Sequence, residues 1–387
     1  MSKKGFKVGL IGAGGRGRGA VVDALAADPT IILWSVADIF PDHLATALEK
    51  LKAAIPDNYE VTKARTFIGF DGYHEVLKTD VDVVILTSPP AFRPEHFEAA
   101  VKAGKHVFME KPVATDPSGI RTVLAATKIA EKKGLSVVAG TQRRHDVAYR
   151  ECIRRIHEGA IGDVLACYAY WNQGGIWVVP REPGWTDMEW QLRNWNYFTW
   201  VSGDHIVEQH IHNIDVCNWI MKAHPVKAVS LGGRQTRTDP IYGQIFDHFA
   251  TEFEYENGVK MISMCRQIDN TASRVSEHIV GSKGTSNAQT WIKGANPWRW
   301  EGERPNDYEE EHRHLLESIR SGKPLNEGQI VAESTLTAIM GRMAGYTGQE
   351  ITWDMALNST EHLVPAKEEF GDLPVDPVPV PGVTKFE

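Results

Sequence analysis

Five short apolar segments occur in the first 145 residues, and stretches with helical character lie between them. The segments are Val8 to Ile11, IILWSVAD (31–38), VDVVILT (81–87), KHVFM (105–109) and LSVVAG (135–140). Near-continuous hydrophobicity is typical of strands buried on both faces, and strands that alternate with helices predict a doubly wound parallel sheet. Ligands of such sheets bind at the carboxyl ends of the strands.

The pattern changes after about residue 145. A helix with a glycine stop, AYRECIRRIHEG, precedes the strand LACYAYW, and two alternating runs flank Glu256-Asn257-Gly258, which is a hairpin signal. These elements predict an α+β domain with a large, mostly antiparallel open sheet. The proline-rich tail is expected to be extended and either to wrap a neighbouring subunit or to remain mobile. The predicted domains are residues 1–145, 146–365 and 366–387.

Composition narrows the classes of function. The 387 residues carry a net charge of −8, which argues against nucleic-acid binding. No apolar run approaches the roughly 20 residues that span a bilayer, and the N-terminus leaves no room for a signal peptide. The four cysteines are widely spaced and form no CxxC pair. We therefore expect a cytoplasmic protein.

A glycine motif follows the first apolar segment. It is GAGGRG (12–17), a GxGxxG pattern in which Gly12 allows a tight turn. Gly14 lets the backbone approach a pyrophosphate, and Gly17 lets the helix pack on the strand. Asp38, at the tip of the second strand, is suited to accept hydrogen bonds from ribose hydroxyls and to repel a 2′-phosphate. The motif predicts a dinucleotide-binding Rossmann domain that prefers NAD to NADP.

The remaining strand ends are expected to line the same rim. Arg16 and Arg18 would weaken the preference for NAD if their charges faced the cofactor. A lysine at a strand end, such as Lys111, is usually a solvated charge. Beside a cationic nicotinamide, however, its ammonium would release a proton more readily, which suits general acid/base work. The predicted cofactor contacts are Gly12, Ala13, Gly14, Arg16, Gly17, Asp38, Thr87, Pro89, Glu110, Lys111 and Gln142.

The stretch GDHIVEQHIHNID (203–215) concentrates histidines and acids. On one continuous helix, His205, Glu208, His212 and Asp215 would share a face with Trp219. One interpretation is acid/base catalysis by His212, with a nearby carboxylate holding its orientation. A second is a metal triad of His205, Glu208 and His212, although the spacing matches no recognised metal signature. A third is a structural network, which is the expected role of His210.

Seven of the twelve tryptophans fall within residues 171–219. Core packing explains most such residues, but one or two could stack on the apolar face of a sugar ring. MEWQLRNWNYFTW (188–200) is predicted to be a substrate loop. The predicted substrate contacts, chosen largely by position, are Arg143, Tyr149, Asn194, Trp195 and Asp215.

Several of these motifs resemble the Gfo/Idh/MocA family, the glucose-fructose oxidoreductase and inositol dehydrogenase group. The resembling segments are AGKHVFMEKP, TSPPAFRPEH, VGSKGT and TGQEITW, and the resemblance spans roughly residues 5–355. It implies that Lys111 interacts with the reacting hydroxyl, that His212 takes the family's histidine position, and that the open sheet pairs subunits into a homodimer or homotetramer.

The sequence also departs from the family pattern. Glu208 stands where the family has an aspartate and His210 where it has a glycine, so the inherited role of Glu208 is less secure. Ala91 and Arg93 alter the loop after the segment VDVVILT. Arg93 either pairs with Glu95 or brings a positive charge near the cofactor mouth, and we favour the pair.

The combined prediction is an NAD-dependent oxidoreductase that moves a hydride between nicotinamide and a ring hydroxyl of a sugar, inositol or glycoside. Lys111 and His212 would serve as acid and base, and Glu208 would orient them. An alternative is a redox-neutral glycoside hydrolase or lyase with retained NAD, which transiently oxidises C3. A non-catalytic NAD-binding regulator is a third hypothesis.

Overall fold

The computed structural model describes residues 5–387. The strands are β1 Lys7–Ile11, β2 Ile32–Asp38, β3 Thr66–Ile68, β4 Val83–Leu86, β5 His106–Met109, β6 Val137–Ala139, β7 Val164–Gln173, β8 Lys227–Gly233, β9 His248–Glu254, β10 Lys260–Gln267, β11 Arg274–Gly281, β12 Gly284–Ser286, β13 Trp291–Gly294, β14 Trp298–Arg299 and β15 Ile351–Thr352. The helices are α1 Gly15–Ala27, α2 Pro41–Ala54, α3 Gly72–Lys78, α4 Arg93–Lys102, α5 Pro117–Lys133, α6 Val147–His157, α7 Asp187–Arg193, α8 Thr199–Ser202, α9 His205–Glu208, α10 Ile211–Met221, α11 Asp307–Ser321, α12 Gly328–Thr347 and α13 Trp353–Asn358.

The first sheet has the predicted doubly wound arrangement. Its strand order is β3-β2-β1-β4-β5-β6, and every neighbouring pair is parallel. The central strands β1 and β4 are buried almost throughout, since helices cover a parallel sheet on both faces. All the carboxyl ends therefore lie along one edge, which is the edge that carries the glycine motif.

The second sheet is mostly antiparallel, as predicted. Its order is β14-β13-β12-β11-β7-β10-β9-β8-β15, and only the pairing of β7 with β10 is parallel. The hairpin predicted around Asn257 joins β9 to β10. Side chains alternate between a buried and a more exposed face along β8, β9 and β10, which is the pattern of a sheet covered on one side.

The chain forms two compact units whose limits differ from the predicted contiguous domains. The first unit comprises residues 1–113, 121–145 and 305–331, and the second comprises 114–120, 146–304 and 332–387. Residues 305–331 were assigned to the second domain from the sequence. They join the first because α11 packs on α1 and β6 through a buried face, formed by Glu311, His312, Leu315 and Leu316.

The proline-rich tail is extended and lies on its own chain. The Met188 N–H donates to Gly371 O at 3.2 Å. The Leu373 N–H donates to the Asp187 carboxylate at 3.1 Å, and the Gln191 side chain donates to Leu373 O at 2.6 Å. The tail therefore holds α7, the first helix of the predicted substrate loop.

Two expectations drawn from composition concern membranes and disulfides. Between residues 5 and 387, no helix is both long enough and apolar enough to cross a membrane. All four cysteines are buried and none is in a disulfide. The widely spaced cysteines thus behave as small core side chains.

The turn between β1 and α1 supplies a stability test. A Cβ at Gly17 would lie 2.1 Å from Gly12 O and 2.7 Å from Thr87 Oγ1, whereas a Cβ at Gly15 would meet nothing within 4 Å. We expect Gly17→Ala to lower the free energy of unfolding by about 1–3 kcal/mol through overpacking. Gly15→Ala, on the same helix, should be neutral or slightly stabilising. Denaturant unfolding measures both, and equal stability of the two variants would contradict this account of the turn.

Candidate functional site

The glycine turn of the first unit has the shape that a dinucleotide requires. Gly12 has φ +91°, and a Cβ there would lie 2.4 Å from Ser88 N. A Cβ at Gly14 would instead meet nothing within 4 Å, so the backbone is accessible there. Helix α1 begins directly afterwards and has no side-chain cap, which leaves its first N–H groups available to a phosphate. These residues fit a bound pyrophosphate.

Asp38 lies at the end of β2, against this turn. Its carboxylate accepts hydrogen bonds from the Ala13 N–H at 2.7 Å and from the Phe40 N–H at 2.9 Å. Burial raises the pKa of Asp38, and the two main-chain donors counteract part of that effect. The carboxylate is thus fixed beside the glycine turn, where a ribose hydroxyl would be recognised.

The charge of Arg16 is already matched within the first unit. Its guanidinium forms ion pairs with Glu110, with Asp23 at 2.8 Å and with Glu311 at 3.0 Å, and it lies over the Tyr308 ring. Burial alone would lower the pKa of Arg16, but Glu110 and Glu311 raise it. An arginine surrounded by three carboxylates is poorly suited to bind a 2′-phosphate, which favours NAD.

Glu311 and Tyr308, which α11 brings to Arg16, were not predicted from the sequence as part of this site. Burial raises the pKa of Glu311 well above its usual range, and the neighbouring Glu110 raises it further. No local signal marked these residues, because they lie almost 300 positions after the glycine motif. An acidic residue on the buried face of an amphipathic helix was the available clue, since such acids need a partner.

Lys111 directly follows Glu110 at the end of β5 and is partly buried. Arg93 bonds the main chain of this turn and the end of the neighbouring strand β4. Its guanidinium donates to Leu86 O at 2.8 Å and to Pro112 O at 3.5 Å. Neither role predicted for Arg93 describes these bonds, and the Glu95 carboxylate accepts the Tyr73 hydroxyl at 2.7 Å. Arg93 thus ties the end of β4 to the turn that carries Lys111.

The other predicted cofactor contacts lie at neighbouring strand ends. The Thr87 hydroxyl donates to Gly12 O at 2.6 Å, and Pro89 follows in the same loop. Gln142 and Arg143 share a short turn just after β6, where Gln142 Nε2 donates to the Tyr308 hydroxyl at 3.4 Å. The first unit therefore brings Thr87, Pro89, Gln142 and Arg143 to the predicted rim.

In the second unit, the single helix predicted for residues 203–219 is wrong. Helix α9 ends at Glu208, and α10 begins at Ile211. Glu208 and His212 therefore belong to different helices and are not a helical i,i+4 pair. Within α10, His212 and Asp215 keep the predicted spacing, and the Asp215 carboxylate accepts the Ser334 hydroxyl at 2.7 Å.

His212 is buried beside a residue that the motif analysis did not single out. Its ring stacks on the partly buried Trp171 of β7, with centroids 5.7 Å apart and planes inclined by 24°. The Trp171 indole N–H donates to Gln173 Oε1 at 2.8 Å. The contact joins positions 41 residues apart, so only the general clustering of tryptophans pointed towards it.

The alternative metal triad is not assembled. Across residues 5–387, no three His, Cys, Asp or Glu side chains form a group that could hold a metal ion. His205 is instead fixed by Asp204, whose carboxylate lies 2.8 Å from its Nδ1. His210 Nε2 lies 2.7 Å from the Ser263 hydroxyl, which agrees with the structural role expected for it.

The remaining predicted substrate contacts differ in surroundings. Tyr149 donates to Glu277 at 3.0 Å, and the same carboxylate accepts from Asn213 at 2.6 Å, so this network fixes α6 and α10 on β11. Asn194 is fully buried and bonds Val179 N and Ile241 O, which removes it from our set of substrate contacts. Trp195 remains partly exposed.

Family models match both units. Residues 6–140 match the model described as Gfo/Idh/MocA oxidoreductase family, NAD-binding Rossmann fold, and residues 149–287 match the Gfo/Idh/MocA C-terminal domain. Together the two models cover most of the chain. The Rossmann match agrees with the glycine turn and with Asp38.

Relatives and solved structures agree with this family. An inositol 2-dehydrogenase of Saccharopolyspora erythraea is 30% identical over 182 residues, which are 47% of each chain. A 2,7-anhydro-N-acetylneuraminate hydratase of Escherichia coli is 28% identical over 46% of this chain and 44% of its own. The chain spans about half the length of the curated relatives it matches. A scyllo-inositol dehydrogenase of Lactobacillus casei, solved with NAD(H) and scyllo-inositol, has a TM-score of 0.67 at 20% identity, over 91% of this chain and all of its own. The chain belongs to the Gfo/Idh/MocA family of oxidoreductases.

Proposed function

We propose that the protein oxidises a ring hydroxyl of a carbohydrate or polyol to a ketone with NAD⁺, and catalyses the reverse reduction with NADH. The glycine turn and Asp38 would hold NAD by its pyrophosphate and ribose, and the bound cofactor would supply the hydride acceptor or donor. The inositol dehydrogenases among the relatives support a cyclic polyol or sugar as the substrate class.

The observation that carries this proposal is the placement of Lys111. It follows β5 on the carboxyl edge of the sheet that also bears the glycine turn and Asp38. Arg93 donates hydrogen bonds to Pro112 O in this turn and to Leu86 O at the end of β4. Support of the main chain fixes where the Lys111 side chain begins, which helps to position a general acid/base group.

In the second unit, the candidate acid/base residue is His212. Trp171 stacking limits the rotation of its imidazole, and burial of the ring restricts access of water. We assign proton transfer with the reacting hydroxyl to Lys111 or His212. Because α9 and α10 are separate helices, Glu208 is not a helical neighbour of His212. We therefore assign Glu208 a positioning role and no proton transfer.

The proposed reaction balances without a further reactant. The C–H bond of the secondary alcohol breaks, and both its electrons leave with the hydride to the nicotinamide. The hydroxyl proton passes to Lys111 Nζ or to the His212 imidazole, and the C–O bond becomes a carbonyl. The substrate carbon is oxidised and the cofactor is reduced by the same two electrons.

A second candidate is redox-neutral chemistry with retained NAD. The relative named 2,7-anhydro-N-acetylneuraminate hydratase supports it, since that name describes no net oxidation. In this case the ring would be oxidised transiently at C3, the leaving group would be eliminated, and the hydride would return. Accumulation of free NADH separates the two candidates.

The dehydrogenase proposal predicts steady NADH formation, followed by absorbance, with NAD⁺ and at least one compound from a panel of inositols, sugars and nitrophenyl glycosides. Lys111→Ala and His212→Ala should each lower kcat by about 10²–10⁴-fold, the usual contribution of general acid/base catalysis. Lys102→Ala, a surface lysine paired with Glu98, is the matched control. Nitrophenolate release without NADH would instead support the redox-neutral candidate.

We also propose that the protein is a homo-oligomer joined through the more exposed face of the second sheet. Along β8 and β10 this face presents Val229, Leu231 and Met264, of which Leu231 is 76% exposed. Charged neighbours such as Glu252 and Lys260 surround them, and these two already pair with each other at 3.0 Å. Apolar side chains inside a polar rim are typical of a subunit interface.

Light scattering after size exclusion tests the interface. Wild-type protein should elute as a dimer or tetramer, and Leu231→Glu should shift it to a smaller species because the new charge would be buried without a partner. Leu165→Glu serves as the control: Leu165 is 56% exposed, but it has the strand parity of the opposite face. A wild-type monomer would contradict the proposal.

A further inference from the structure

Trp177 and Trp195 form an exposed aromatic pair in the second unit. Their ring centroids lie 6.0 Å apart, with planes inclined by 57°. Trp177 is 47% exposed, and Trp195 is partly exposed. A single exposed apolar residue needs no explanation, but two adjacent indoles expose an apolar surface that is costly to leave in water.

Other tryptophans of the same segment have protein partners. Arg193 lies 4.8 Å from the Trp185 ring centroid, and the Trp190 indole donates to Val179 O at 3.0 Å. The Trp200 indole donates to Gln191 at 2.7 Å.

Trp177 and Trp195 differ in this respect. Among residues 5–387, neither of their indole N–H groups has a hydrogen-bond partner, and their ring contacts are with each other and with Tyr197. The pair thus presents both apolar faces and hydrogen-bond donors, which is what a sugar ring engages.

A rigid base supports Trp177. The fully buried Tyr197 places its hydroxyl 2.9 Å from Trp177 O and 3.1 Å from Ile176 O. Burial raises the pKa of Tyr197 to about 12, so the hydroxyl keeps its proton as a donor at neutral pH. Asn194 Oδ1 accepts from the Val179 N–H at 2.9 Å. The main chain around Trp177 is therefore held on both sides. Binding of a ligand there would cost little further conformational entropy.

The end of β7 relates this pair to His212 along the chain. Trp171 stacks on His212 and donates to Gln173, the last residue of β7. Trp177 follows four residues later, so its Cα lies within about 14 Å of the Gln173 Cα at the length of an extended chain. The segment that carries Trp177 thus leaves β7 directly after the residues that contact His212.

We propose that Trp177 and Trp195 form a subsite for the second ring of a glycoside, namely a sugar or an aromatic aglycone attached to the ring that is oxidised. This inference rests on the proposed function, because the first ring is placed by His212. It narrows the substrate class from any cyclic polyol to a glycoside with at least two rings.

The test compares one-ring and two-ring substrates. With NAD⁺, kcat/KM is measured for cellobiose, maltose and a nitrophenyl glucoside, and for glucose and myo-inositol. Trp177→Ala and Trp195→Ala should lower kcat/KM about tenfold for the two-ring compounds, the scale of one lost aromatic contact. The one-ring compounds should change less than about threefold, and Trp177→Phe should restore most of the loss.

Trp298→Ala is the matched control, since Trp298 is partly buried and pairs with Trp300 at 6.3 Å. It should leave every value unchanged. An equal loss for one-ring and two-ring substrates would assign Trp177 a structural role and overturn the subsite. Unchanged values for both classes would overturn it as well.

A binding measurement separates this inference from the proposed function. Cellobiose is titrated calorimetrically into wild-type protein with NAD⁺ and into Trp177→Ala. Binding by the wild type alone, without NADH formation from any compound, would reject the dehydrogenase and retain the subsite. Absence of cellobiose, maltose and nitrophenyl glucoside binding to the wild type would overturn the subsite itself.

Discussion

The buried carboxylate of Asp204 is the interaction on which the second unit's candidate site depends. It accepts hydrogen bonds from the Phe246 N–H at 2.9 Å, from the Tyr346 hydroxyl at 2.6 Å and from the His205 N–H. Bonds to a charged acceptor contribute about 1.5–3 kcal/mol each. They hold Asp204 at φ +74°, a conformation that L residues rarely adopt, and this turn directs the chain into α9 and then α10. The position of His212 follows from it.

In the first unit, the corresponding constraint is the matching of charges around the glycine turn. Glu110 pairs with Arg16, Lys111 follows Glu110 at the sheet edge, and Asp38 is fixed by main-chain donors. The charge of Arg16 is thus matched by carboxylates beside the turn where a 2′-phosphate would bind. This distribution supports a preference for NAD, and the acid/base role that we propose for Lys111 lies on the same edge.

Local patterns were sufficient to predict the parallel sheet, the glycine turn and the β9–β10 hairpin, because their geometry depends on neighbouring residues. The break between Glu208 and Ile211 could not be predicted in this way. Apolar residues continue at helical spacing through this break. The turn before it depends on Phe246 and Tyr346, which are distant in sequence. The same limit applies to Glu311 beside Arg16 and to Trp171 beside His212. These contacts are set by tertiary packing.

The proposed reaction moves a hydride between the substrate ring and the nicotinamide. Mass spectrometry of the cofactor after reaction with a substrate deuterated at its ring carbons detects this transfer. Our account predicts one deuterium in each reduced nicotinamide formed, and a loss of this transfer in the Lys111→Ala and His212→Ala variants. Product formation with no deuterium in the cofactor at any stage of a single turnover would contradict it.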